Sequence, residues 1–462
     1  MTRGGEFMID YTRMVAEHLA TTTYEDLPPE AVEFAKKSIL DTLGIMFPAT
    51  TLAPTSDVVH DLVMDVDEGH RCTLIGYGEK ASLLEAAFMN GSLTHAVDFD
   101  DSAGIDRPLV HPSGSCLPAA VTLAEFLGTT SGKDLILAMA LANDLGIRLA
   151  DCVKGNILWD YDFFPITTIG VFEATAAAAV LLHLDADQMT DALGLAVNRV
   201  SGIRDTLFNC EFRSIRDAFG NQEGIRCAML AKRGFEGCKT AIEDLFRIIY
   251  HGNVDMEPLT RDLGRVYTGS TLVTYKMWPS CQGTQAYAEA VLQVLEANPH
   301  ITADDVESIL LKGPKESRDL FYPKEEKARP KTSITSKVSI PFVVATMLRK
   351  RNLVLADFEA QNLDDPATLA LTDRLELEVD DAHNANAATA IVTLRDGTVI
   401  ENRVDYVRGA VCAPLSLDQL ITKFKGNAAL ARHPIADIDG LADALLHLED
   451  VADVGEIMSY LN

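Results

Sequence analysis

Gly170-Val171-Phe172-Glu173-Ala174-Thr175-Ala176-Ala177-Ala178-Ala179-Val180-Leu181-Leu182-His183-Leu184 is the stretch on which the fold turns. Its apolar spacing is helical, and its small alanines suit a helix packed closely against others inside a large core. The next segment, Ala186–Val200, has the same Ala-rich pattern. Working outward, apolar spacing of three and four predicts further helices over Ser82–Val97, Cys116–Leu127, Lys133–Cys152, Gly224–Arg233 and Gln285–Ala297. Pro28-Pro29-Glu30 opens another, since proline is tolerated in a first helical turn and an acid there suits the helix dipole. Val32, Ala35, Ile39 and Leu43 form its apolar stripe.

The pattern changes after Pro299. Val306–Gly313, Arg374–Asp381 and Ala388–Leu394 alternate in the manner of strands, and Arg395-Asp396-Gly397-Thr398 reads as a hairpin turn into Val399–Val404. Ile340–Leu348 reads as a helix and Phe321–Lys337 as a loop with local positive charge. Helical spacing returns in Asp418–Phe424 and Leu441–His447. The expectation is a mainly α protein with an α+β insertion: a large helical domain from both chain ends, residues 1–270 and 410–462, and an α+β domain at 271–409.

Among 462 residues, Asp and Glu number 68 and Lys and Arg 40, a formal net charge of −28. Phosphate neutralisation needs a basic face, so nucleic-acid binding is not expected, and attachment to an anionic membrane is disfavoured. The longest purely apolar run, Leu135–Ala142, is too short to span a bilayer, and Met1–Phe7 lacks the apolar core of a signal peptide. The eight cysteines are scattered with no Cys-x-x-Cys pair, which suits reduced thiols in the cytoplasm and neither a disulfide framework nor a zinc site.

Three clusters carry candidate chemistry. The first is Asn90–Ser102 with Val110-His111-Pro112-Ser113-Gly114. His95, Asp98 and Ser102 would share one face if the preceding helix ran on through them. His111 with a carboxylate at 98 would make an acid/base unit. The alternative is that Asp98 and Ser113 cap helices and His111 is a hydrogen-bonded loop histidine. The second cluster is cationic: Arg204, then Arg213 and Arg216 on one helical face, able to take carboxylates in a bidentate manner. Glu211 and Asp217 beside them equally suit a surface ion-pair face. The third is Thr274–Thr284, where Lys276 among aromatic and apolar neighbours either projects into a cleft or is a solvated linker lysine. Phosphate loops, His-Glu-x-x-His and Gly-x-Ser-x-Gly are absent.

Leu40-Asp41-Thr42-Leu43-Gly44, His95-Ala96-Val97-Asp98-Phe99-Asp100-Asp101 with His111-Pro112-Ser113-Gly114, Tyr275–Cys281, Arg403-Val404-Asp405-Tyr406 and Pro414-Leu415-Ser416 stand in one order along nearly the whole chain. In these motifs the sequence resembles the MmgE/PrpD family, which includes 2-methylcitrate dehydratase, cis-aconitate decarboxylase and iminodisuccinate epimerase. The resemblance implies a helical domain with a smaller α+β lid, a homodimer, and a site without metal or cofactor for a small polycarboxylate. It places Asp98, Ser102, His111 and Lys276 at positions the family uses in its active site.

Against the family pattern, Phe164 stands where a histidine is frequent, Arg213 and Arg216 replace a lysine and a histidine, Phe342 replaces a tyrosine, and Gln285 replaces a histidine. Arginine stays protonated, so the exchanges at 213 and 216 keep the site cationic but poorer at moving protons, while those at 164, 342 and 285 remove proton carriers. They weigh against cis-aconitate decarboxylation. The resulting expectation is a lyase of the 2-methylcitrate dehydratase type, with His111, Asp98 and Lys276 catalytic and Ser102, Arg213, Arg216, His95 and Arg204 binding substrate. An iminodisuccinate-type epimerase stands second, followed by a decarboxylase or a non-catalytic polycarboxylate-binding relative.

Overall fold

The structure is a computed structural model that describes residues 10–104, 109–204, 211–380, 382–384 and 386–462, and their side chains except those of Glu211 and Arg213. The Arg213 side chain, residues 1–9, Asp205 and Cys210 thus lie outside the described residues. The chain divides into two compact units, one of residues 10–96, 109–271 and 420–462, the other of 97–104 and 272–419.

The first unit is helical. Its main elements are α1 (Pro29–Leu52), α2 (Leu83–Leu93), α3 (Pro112–Leu127), α4 (Gly132–Asp151), α5 (Pro165–Leu181) and α6 (Arg216–Lys232). Helix α5 holds most of the Ala-rich run, and every residue from Pro165 to Leu181 is buried. It is the central helix, packed on α3, α4 and α6. A helix that is apolar all round has no solvent face, which is why this run organises the unit. Pro28 and Glu30 open α1 as their residue types require, and Ser131 with Asp134 makes a capping box for α4.

Helix α2 is shorter than the sequence pattern suggests. It stops at Leu93, and the hydroxyls of Ser92 and Thr94 donate to the carbonyls of Met89 and Gly91. Such local bonds compete with helix propagation. Asp98 then takes a left-handed backbone, φ 53°, which Asp tolerates better than most residues. His95, Asp98 and Ser102 therefore do not share a helical face, and Ser102 lies instead in a two-residue strand. Helix α3 begins earlier than expected, with Pro112 in its first turn and His111 at the N-cap position. Ser113 is thus inside the helix and does not cap it. Arg213 lies in a 3-10 turn, Glu211–Ser214, ahead of α6, so it and Arg216 do not share one continuous α-helix.

The second unit joins α7 (Gln282–Ala297) and α8 (Ile340–Lys350) to a four-stranded sheet of β1 (Val306–Gly313), β2 (Leu375–Val379), β3 (Ala388–Leu394) and β4 (Val399–Val404). The strand order is β2-β1-β3-β4, with β2 parallel to β1 and the other pairs antiparallel. The expected turn joins β3 to β4, with Gly397 at φ 86° and Asp396 accepting from the Thr398 amide. Val306, Ile309 and Leu311 of β1 pack with Val291, Val294 and Leu295 of α7 and Ile340 and Val344 of α8. Each such side chain contributes roughly 1.5–3 kcal/mol when fully buried. Segment Phe321–Lys337 is not a plain loop, since Lys324–Ala328 and Ser333–Lys337 form short helices. Among the described residues no helix is long and apolar enough to cross a membrane.

Candidate active site

In the second unit, strand Ser102–Ala103 pairs antiparallel with Val273–Thr274, Ser102 opposite Thr274. The same register, continued two residues, sets Lys276 opposite Asp100. The Lys276 ammonium is fully buried, 2.6 Å from Asp98 Oδ1, 3.3 Å from Asp100 Oδ1 and 3.3 Å from the Asp98 carbonyl oxygen. Its three N–H donors thus have three acceptors. Burial alone would lower its pKa, but Asp100 and Asp98 outweigh burial and raise it. Lys276 is therefore a fixed cation and not a solvated linker residue.

Two residues that the sequence does not single out within their segments, Lys337 and Gln282, hold the stretch from Val97 to Ser102. Lys337, also buried, donates to the Val97 carbonyl at 2.8 Å. Ser102 donates to Gln282 at 3.2 Å, and Gln282 in turn donates to Asn386. Gln285 donates to the carbonyls of Trp278 and Ser280 and to the Ser280 hydroxyl, fixing the loop after Lys276. Phe342 is core, packed with Trp278 and Phe358.

In the first unit, His95 and His111 are both buried, with ring centroids 5.1 Å apart and planes at 68°. They come together because α2 ends just before His95 and α3 starts just after His111. Asp217 ties α6 to these two helices: its carboxylate lies 3.4 Å from the Thr94 hydroxyl and 3.2 Å from that of Ser115. Gly91 permits the approach, since a Cβ there would stand 2.8 Å from Ala218 Cα. Arg216 Nε is 3.4 Å from Asp217 Oδ2, and its guanidinium lies 4.9 Å from the centre of the Phe164 ring. This pair is buried, so it is not a surface ion-pair face. Ser113 accepts from Asn143 at 3.2 Å. Arg204 is separate in character: partly exposed, it pairs with Asp162 at 3.1 Å and lies over Trp159.

The structure thus brings Asp98, Lys276 and Ser102 together in the second unit, and His95, His111 and Arg216 among α2, α3 and α6 in the first. The first set is a buried cation with its counter-ions. The second is an imidazole pair and a guanidinium linked through Asp217 to Thr94 and Ser115, and these are the group types that take a proton and hold a carboxylate.

A family model described as the MmgE/PrpD N-terminal domain matches residues 13–250, and one described as the MmgE/PrpD C-terminal domain matches residues 278–437. A cis-aconitate decarboxylase of Aspergillus terreus is 24% identical, covering 97% of this chain and 94% of its own. The cis-aconitate decarboxylase of Homo sapiens is 27% identical over 94% of this chain and 91% of its own, and that of Mus musculus 26% over 90% and 86%.

Proposed function

From the premise that the chain belongs to the MmgE/PrpD family, we propose that it is an enzyme, a lyase that breaks a bond at a carbon next to a carboxylate in a small di- or tricarboxylate. The observation that carries this reading is the buried His95–His111 pair at the head of α3, with Arg216 tied to the same helices through Asp217. An imidazole is the side chain that takes a proton near neutral pH. Removing a proton beside a carboxylate places new negative charge on a group already charged. Fixed cations aimed at that charge lower the barrier most.

His111 is the base in this proposal. Arg216 meets the developing charge in the first unit, and Lys276, held charged by Asp98 and Asp100, is the cation assigned to the second. Ser102, His95, Arg204 and Arg213 supply the remaining contacts to substrate. The names of the relatives support loss of CO2 within the lyase class, in which CO2 leaves its bonding pair on carbon and a protonated His111 delivers the proton that this carbanion takes up; nothing supports water elimination of the 2-methylcitrate type over it. A second reading, epimerisation, is favoured by Phe164: that position lacks a proton to donate, and an epimerase needs only to return a proton to the opposite face.

The test is proton NMR in deuterium oxide with citrate, 2-methylcitrate, cis-aconitate and iminodisuccinate supplied separately. Elimination, decarboxylation and epimerisation each leave a different spectrum. No reaction and no solvent exchange with any of the four would discard the reading.

A further inference from the structure

Arg216 sits in a more constrained setting than carboxylate binding alone requires. Its guanidinium carbon lies over the Phe164 ring, 4.9 Å from the ring centre, and its Nε is 3.4 Å from Asp217 Oδ2. Both supports are themselves fixed. The Phe164 carbonyl accepts from the Thr168 amide at 3.2 Å and lies 3.1 Å from the hydroxyls of both Thr167 and Thr168, while the Phe164 amide donates to Gly202 at 3.3 Å. Gly202 has φ 87°, and a Cβ there would stand 1.9 Å from the Thr167 hydroxyl, so only glycine lets the loop close over the start of α5. Asp217 lies between Thr94 and Ser115, as described above.

A guanidinium is planar, and it grips a carboxylate through two parallel N–H groups along an edge, never through its face. An aromatic ring under the face fixes the plane, and a carboxylate at Nε fixes the rotation within it. A lysine in the same place would have neither a plane to fix nor an edge to offer.

We propose that Phe164 is a positioning and specificity residue, whose ring sets the plane of Arg216 so that the guanidinium receives a substrate carboxylate edge-on. This rests on the polycarboxylate reading above. Phe164 touches no reacting atom; it acts through Arg216. It gives the chain a rigid carboxylate receptor at a position with no acid–base capacity.

Dissociation constants for citrate, cis-aconitate and iminodisuccinate, measured by calorimetry, test this on wild type, Phe164→Leu, Phe164→Tyr, Arg216→Lys and the Phe164→Leu/Arg216→Lys double variant. Phe164→Met is carried alongside as a second variant without a ring, and thermal melting shows which variants are folded. Phe164→Leu should weaken binding of each ligand that wild type binds by about tenfold, the size of a desolvated cation–π contact. Phe164→Tyr keeps the ring and should stay within about twofold of wild type. In the Arg216→Lys background the Phe164→Leu change should add little, because the stacked plane is already gone.

Wild-type affinity in folded Phe164→Leu or Phe164→Met, or an equal loss in both arginine and lysine backgrounds, would overturn the proposal. So would a Phe164→Tyr variant as weak as Phe164→Leu. Binding of none of the three ligands by wild type would instead overturn the polycarboxylate reading itself, and this one with it.

Discussion

Lys276 Nζ and Asp98 Oδ1 lie 2.6 Å apart with both side chains buried, and Asp100 is a second acid on the same ammonium. Removing one side of a buried pair leaves the other charge uncompensated, at a cost of about 3–5 kcal/mol. Lys276→Met should therefore unfold at markedly lower urea than wild type. The raised pKa of Lys276 fixes the pH dependence. A lysine whose folded pKa lies above its unfolded value contributes stability that is complete below the unfolded value and lost as pH rises through the folded one. The stability gap between wild type and Lys276→Met should thus hold from about pH 6 to about pH 9 and narrow only in strongly alkaline solution. Urea unfolding at a series of pH values measures it, and a gap that closes near neutrality would contradict the charged state assigned to Lys276.

The Leu40–Gly44 motif has a structural role. Asp41 pairs with Lys423 at 2.7 Å, both side chains being buried. Gly44 lies against Phe424, where a Cβ would stand 2.9 Å from the ring. The motif fastens α1 to residues near the other end of the chain. Asp41→Asn should cost about 3 kcal/mol of stability in chemical denaturation. It should leave the KM of the folded enzyme unchanged.

Thiol reactivity divides the described cysteines. Burial pushes Cys72, Cys152 and Cys227 up to about 12. The thiolate is the reactive form, so these should resist iodoacetamide at about pH 8 until the protein unfolds. Cys238 and Cys412 are exposed and should label in the native protein. Mass spectrometry of native and urea-treated samples reads the difference.

Strands were legible where one face is buried and the other is not. Val306–Gly313, Ala388–Leu394 and Val399–Val404 stand at the ends that their alternation marks. The Ala-rich helix was legible because composition alone makes it central. The path from Thr94 to Ser102 was not, because a single left-handed residue, Asp98, undoes helical spacing without changing the hydrophobic pattern. Lys276 reads in sequence as well for solvent as for burial. Its environment is set by pairing with a carboxylate 176 positions away, which no local pattern records. Lys337 and Gln282 were invisible for the same reason: each acts through a partner that is remote in the chain. Arg216 was visible as a cation, but its burial and the ring against it emerge only from the packing of α6 on α5.

The most direct test of the central claim, that His111 removes a proton beside a carboxylate, is solvent exchange followed by proton NMR. Wild type and His111→Ala are incubated in deuterium oxide with citrate, 2-methylcitrate, cis-aconitate and iminodisuccinate. Wild type should incorporate deuterium next to a carboxylate of at least one of them, and folded His111→Ala should lose about two to four orders of magnitude in that rate. Undiminished exchange by the folded variant would contradict the role of His111, and no exchange by wild type would contradict the chemistry.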